Sequence, residues 1–591
     1  MARKLFITLS VCAAILASLS SPCLAQEKFS TSASGPLDKP QPLSQPRPSE
    51  STVKQWSDRK FGMFIHFGLY SQLGGMWHGQ KIDDGYSEQI MANAPIPLDQ
   101  YAATAATFNP TAFDPDAIVA LAKAAGMKFI VITSKHHDGF NMFHTAQTNF
   151  NIVDATPYKK DIVKQLSEAC PRGGIKFGVY YSTIDWHQPG ASTYIESNSN
   201  PIPQSHEAFN VAQLTELLSN YGPISEIWFD MGKPTPAQSQ HFARTVHRLQ
   251  PQAMVSGRVF NYEGDFTVMG DNEVPAFQID EPWQTPASVF PQTWGYRSWQ
   301  ARENLQGKIQ ENILRLVQVV SRGGNYILNI GPMGDGSIVP YEAEVLKGVG
   351  QWLKINGEAI YSTAAQPFRQ LDFGYATVGK NTLYLFVKDL PADGVLHLPG
   401  VAKANLKNAF LLTDPARKPG AVQQDAHGAF ITLQKDALES GGFLPVVAVP
   451  FAGKLVVIPR AISADASGNF LLTPEQADHF FNYNGYGYED PPTLYKLRWL
   501  IDAKPGDYTL AIEISGEQKD ASPDLVVDGN RLPQSATKIE AETRSIRQTI
   551  HILHVAAPTS IEITPHEPFL KGTPLPVKIV SVRVNPLERQ K

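Results

Sequence analysis

Ser225-Glu-Ile-Trp-Phe-Asp230-Met-Gly232 is the stretch that decides how this chain is read. Ile227, Trp228 and Phe229 make a short apolar run of the kind found in buried parallel strands. Asp230 closes the run, and Gly232 and Pro234 then force a loop. In an α/β barrel the chemistry sits at the C-terminal ends of the strands. A carboxylate delivered there is held in place and partly desolvated, which suits a nucleophile. An Asp at such a point can equally cap the next helix, so the surrounding chain has to decide.

Strand-like runs at 61–67, 128–133, 175–181, 253–257 and 326–330 flank that stretch. Between them fall segments predicted as helices at 116–126, 161–169, 212–221, 240–249 and 308–321, with a last one at 341–356. This alternation predicts an α/β fold with parallel strands, a (β/α)8-like barrel. An open doubly wound sheet is the alternative. No Gly-rich dinucleotide loop follows the first strand, which counts against it. Beyond residue 365 the pattern changes to short strands separated by Gly, Pro and Asp, which predicts β-sandwich domains at the C-terminus. The expected organisation is a signal peptide at 1–25, a Pro/Ser-rich linker at 26–52, a catalytic barrel at 53–364, a β-sandwich at 365–460 and a second sandwich-like unit at 461–591.

A chain of 591 residues exceeds a single core. The net charge of −5 leaves no polybasic surface for nucleic acid or anionic lipid. Arg3 and Lys4, the apolar run 5–19 and the small Ala25 form a secretory signal, which implies an exported protein. Cys12 and Cys23 lie in that segment, so only Cys170 remains in the mature chain. That excludes an intrachain disulfide and a cysteine metal site. Export without disulfides suits a bacterial periplasm or secretion from a bacterium. Cys23 follows Pro22 where a lipoprotein signal wants a small residue. No other run is long and apolar enough for a transmembrane helix.

Three histidines fall at strand ends. His66 closes the strand at 61–67, and His136 and His137 follow the strand at 128–133 within Lys135-His-His-Asp-Gly-Phe140. Neutral imidazoles at one barrel face offer donors and acceptors suited to sugar hydroxyls. Adjacent histidines point to different sides, so a metal is not expected, and no cofactor is implied. Tyr180 and Tyr181 end the next strand; one is expected to face the site and the other the core.

These segments together resemble the α-L-fucosidases of glycoside hydrolase family 29. The matching motifs are Phe61-Gly-Met-Phe-Ile-His66-Phe-Gly68, Lys135-His-His-Asp-Gly-Phe140, Gly178-Val-Tyr-Tyr181, Glu226-Ile-Trp-Phe-Asp230, Trp294-Gly-Tyr296 and Gly323-Gly-Asn-Tyr-Ile-Leu-Asn-Ile-Gly-Pro332. The resemblance implies a retaining exo-glycosidase on a (β/α) barrel, acting on a fucosylated glycan. It places the nucleophile on Asp230 and sugar-hydroxyl ligands on His66, His136 and His137, with Tyr181 or Tyr180 beside them. Trp294 matches an aromatic residue lining the sugar.

One departure matters. The family's acid/base Glu aligns with Gln284, in Asp280-Glu-Pro-Trp-Gln-Thr285. An amide cannot donate and recover a proton, so Gln284 is expected only to bind substrate. Glu281, on what reads as a loop, is the first candidate for the acid; Glu273 is the second, and Glu88 a further carboxylate. The reading is therefore an exported retaining α-L-fucosidase. A barrel glycosidase of altered sugar specificity and a catalytically weakened sugar-binding protein are the alternatives.

Overall fold

The computed structural model describes residues 47–587, apart from 192–199, 262, 276–281, 369–370, 402–403, 426–427, 458–460, 483–492, 516–522, 533–537, 541–544, 553–557 and 565–577. The expected signal peptide, most of the linker and Glu281 lie outside the described residues.

Eight parallel strands form one sheet: β1 Phe61–Ile65, β2 Phe129–Lys135, β3 Lys176–Ser182, β4 Glu226–Asp230, β5 Met254–Val255, β6 Thr267–Val268, β7 Trp283–Ser288 and β8 Asn325–Ile330. They are ordered β5-β4-β3-β2-β1-β8-β7-β6. A parallel bridge between Ser256 and Phe266 joins the two edge strands and brings the sheet round into a barrel. Around it pack α1 Pro115–Ala124, α2 Ile162–Gly173, α3 Gln204–Asn220, α4 Pro236–Leu249, α5 Leu305–Ser321 and α6 Pro340–Asn356. Their starts follow from local chemistry. Asp114 and Asp161 cap α1 and α2 through their carboxylates, and Thr235 with Gln238 forms a capping box on α4.

The strands read as unbroken apolar runs because both faces are buried. Ile227 and Phe229 of β4 join the layer between sheet and helices, with Phe229 stacked on Phe242 of α4. Trp228 belongs instead to the barrel's interior cluster, with Phe64, Phe129, Val131, Tyr180 and Ile327. Small residues make room inside: a Cβ at Gly62 would meet the Phe129 ring at 2.3 Å.

Trp283–Ser288 is a strand that is not among those the sequence predicts. Gln284 and Pro286 carry little strand signal of their own. The segment is extended because it pairs in parallel with β8, from Gln284 opposite Asn325 to Ser288 opposite Asn329. Among the described residues no α-helix lies between β5 and β7.

From Ala364 onward the sheets are antiparallel. A six-stranded and a three-stranded sheet enclose one core, and two five-stranded sheets from Phe470 onward enclose another. The first unit rests on the barrel's helices: Trp352 of α6 donates to the Phe443 carbonyl at 3.1 Å, and Gln318 of α5 donates to the Tyr375 hydroxyl at 2.8 Å. Among the described residues no helix is long and apolar enough to cross a membrane.

Candidate active site

Alternation along β4 sends Glu226, Trp228 and Asp230 into the barrel, one above the other. Asp230 emerges at the C-terminal mouth and is 9% exposed. Its Oδ2 accepts the Tyr180 hydroxyl at 2.9 Å, and its Oδ1 accepts Arg258 Nη1 at 2.9 Å. Met231 then takes a left-handed φ of 53°, turning the chain sharply away. Arg258 sits in the Gly257–Val259 turn just beyond β5. Its Nη2 donates to Asp271, just beyond β6. One buried guanidinium therefore binds two carboxylates. Burial pushes the Asp271 carboxyl up to about 6, even though Arg258 pulls it down. The Trp228 ring lies 4.9 Å from the guanidinium carbon.

The histidines line the same cavity as Asp230. His66 Nδ1 lies 2.7 Å from Asn329 Oδ1, while Asn329 Nδ2 donates to the Trp294 carbonyl at 2.7 Å. That second bond fixes the amide, so His66 carries its proton on Nδ1 and presents Nε2 as an acceptor. His137 Nδ1 bonds Ser182 Oγ at 2.6 Å. His136 Nδ1 is buried without a partner. Burial pushes all three imidazoles down, His66 to about 3, so they are neutral at ordinary pH. Glu88 completes the wall; its Oε2 accepts the Trp294 and Gly295 amides at 3.1 and 2.7 Å. Burial raises its carboxyl to about 7.

These groups surround a recess that opens at the barrel mouth. Of the residues singled out in the sequence, His66, His136, His137, Asp230, Trp294 and Glu88 line it together. Tyr181 does not. Its hydroxyl bonds Asn210 and Gln213 of α3, both at 2.8 Å, and it is Tyr180 that turns inward. Strand alternation permits only one of the two to face the mouth. Gln284 also lies outside the lining. It sits near the start of β7, fully buried below the cavity, and its Oε1 accepts the Trp228 indole at 2.8 Å. Glu273 is likewise absent from the lining, with Oε2 buried and unpartnered.

Sequence reasoning missed Arg258 and Asp271. Both follow very short strands, and Asp271 stands in the same segment as Glu273. The signal available for Arg258 was its position directly after the expected strand at 253–257.

The alpha-L-fucosidase family profile matches residues 37–358. The chain belongs to the alpha-L-fucosidase family. Within it, the chain is 32% identical over 420 residues to the tissue alpha-L-fucosidase of Homo sapiens, covering 67% of this chain and 86% of that one. The plasma alpha-L-fucosidase of Homo sapiens is 33% identical over 330 residues, covering 52% and 69%. Among solved structures, the alpha-L-fucosidase from Vibrio sp. strain EJY3 matches with a TM-score of 0.63 at 27% identity, over 91% of this chain and 98% of that one. A family 29 enzyme from Bacteroides thetaiotaomicron, trapped as a covalent intermediate with 2-fluoro-fucosyl fluoride, matches with a TM-score of 0.62 at 25% identity, over 70% and 98%. Membership makes this chain a glycoside hydrolase.

Proposed function

We propose that this protein is an exported retaining α-L-fucosidase that removes terminal α-L-fucose from glycans by double displacement. The observation that carries the reading is the Asp230–Arg258–Asp271 array at the floor of a cavity walled by three neutral histidines. Two carboxylates held by one guanidinium supply the pair of carboxyl groups that glycoside hydrolysis needs.

Asp230 attacks the anomeric carbon while Asp271 protonates the departing oxygen. Asp271 then takes a proton from the water that hydrolyses the glycosyl-enzyme. Burial raises the Asp271 carboxyl to about 6, which suits a group that must both give and recover a proton. Arg258 and the Tyr180 hydroxyl hold Asp230 in place through its two oxygens. His66, His136, His137 and Glu88 bind the sugar hydroxyls, and Trp294 packs against the ring. No cofactor or metal enters the mechanism. Gln284, below the cavity, no longer argues for a lost acid, so the weakened-binder reading loses its motive. Export rests on the charged and apolar pattern of residues 1–25.

Turnover of an aryl α-L-fucoside tests the reading. Hydrolysis with net retention at the anomeric carbon is expected. Preferential hydrolysis of an aryl galactoside would shift it to the altered-specificity alternative, and absence of any turnover would overturn it.

A further inference from the structure

Below the cavity, the barrel interior holds a second polar chain that the reaction itself does not use. Glu226, the lowest inward residue of β4, is fully buried, and burial raises its carboxyl. One of its oxygens accepts the Trp56 indole from the helix Glu50–Ser57. The other lies 3.4 Å from Gln284 Nε2. Gln284 Oε1 in turn accepts the Trp228 indole at 2.8 Å. The Trp228 indole N–H can only donate, so Gln284 turns Oε1 toward it and Nε2 toward Glu226. A close approach makes this possible, since a Cβ at Gly178 would meet the Glu226 side chain at 2.9 Å.

Trp228 is the link to the reacting groups. Its ring carries the Arg258 guanidinium at 4.9 Å and stacks on Tyr180 at 5.9 Å and 18°. Arg258 and Tyr180 are the two donors to Asp230. An indole has a single in-plane donor, so anchoring that one atom fixes the rotation of the whole ring about its β-carbon. The plane on which both donors rest is then fixed too.

We propose that Gln284 is a positioning residue: by holding the Trp228 indole from the barrel floor, it sets the placement of Arg258 and Tyr180, and through them the separation of Asp230 from Asp271. This rests on the proposed fucosidase reading. It gives the side chain at 284 a role that neither a carboxylate nor an apolar residue fills. A carboxylate would have no N–H to offer Glu226 in a dry site. An apolar residue would leave the indole N–H unpaired.

Gln284→Met keeps the length of the side chain and removes the acceptor. The expected result is a loss in kcat of about ten- to a hundred-fold with KM changed little, because misplaced reacting groups slow the chemical step. The alkaline limb of the kcat/KM profile should move to higher pH as Arg258 loosens from Asp271. Trp228→Phe keeps an aromatic plane and releases the same hydrogen bond, so it should show the same two changes. The double variant should be no worse than either single one. A purely structural role would lower the melting temperature while leaving kcat and the pH profile of the folded enzyme unchanged; that result, in either variant, overturns the proposal. If Gln284→Met does not fold, Trp228→Phe alone decides by the same criterion. The wild type is assayed beside them on an aryl α-L-fucoside: failure there refutes the fucosidase reading, whereas an active wild type with unaltered variants refutes only the positioning role.

Discussion

Asp230 and Asp271 are bound to the two arms of the same guanidinium, that of Arg258, at the mouth of a parallel barrel. The two carboxylates reach it from different elements, 41 residues apart in the chain by their numbering (271 − 230). Their environments differ as their proposed roles require. Asp230 takes two donors, one from Tyr180 and one from Arg258. Asp271 is buried enough to hold its proton up to about pH 6.

Replacing Asp230 by Gly should reduce hydrolysis of an aryl α-L-fucoside by roughly 10³-fold or more, since no glycosyl-enzyme can form. Azide should restore part of the activity from the emptied space and yield a glycosyl azide of inverted configuration. Near-wild-type turnover in Asp230→Gly would remove Asp230 from the role.

Asp271→Asn should slow substrates with poor leaving groups by about 10²–10⁴-fold and good aryl leaving groups much less. The wild type should lose kcat/KM as pH rises above about 6, because the general acid must be protonated to act. That limb should vanish in Asp271→Asn with an activated substrate. Glu281→Ala and Glu273→Ala are the comparisons. If the leaving-group-dependent loss appears at one of them and not at Asp271, the proton donor is that residue.

Tyr180→Phe and Tyr181→Phe should separate function from packing. Loss of the Tyr180 bond to a carboxylate is worth about 1.5–3 kcal/mol, which would appear as a fall in kcat of roughly ten- to a hundred-fold. Tyr181→Phe removes the hydroxyl held between Asn210 and Gln213 of α3 and should lower the melting temperature with kcat preserved. The opposite pattern would contradict the orientation of the two rings.

Glu88 makes stability depend on pH. Its folded carboxyl is raised by burial to about 7, so the folded state binds the proton more tightly than the unfolded one. The resulting stabilisation is complete below the ordinary Glu range and is lost as pH rises through about 7. Wild-type stability should therefore decline by about 1–3 kcal/mol over that window. Glu88→Gln should not show this part of the decline, measured by denaturant titration at several pH values.

Dialysis against a strong chelator should leave activity intact. His66 and His137 already spend one ring nitrogen each on Asn329 and Ser182, as expected of hydrogen-bonding ligands. Activity lost to the chelator and restored only by zinc would overturn this.

The amino-acid sequence by itself determined the barrel and much of its mouth. Apolar runs ending in His66, His136-His137 and Asp230 are legible because a strand buried on both faces is locally apolar and its end is locally marked. What only the tertiary structure decided are facts of side-chain direction and of long-range pairing. Tyr180 and Tyr181 are equivalent in sequence, and the pleat alone makes one face Asp230 and the other face α3. Trp283–Ser288 becomes a strand because β8 pairs with it, and that places Gln284 below the cavity rather than in its lining. Asp271 follows a two-residue strand that is not among those the sequence predicts, while Arg258 follows one that is. They meet at Asp230 because closure of the sheet through Ser256 and Phe266 brings their turns together.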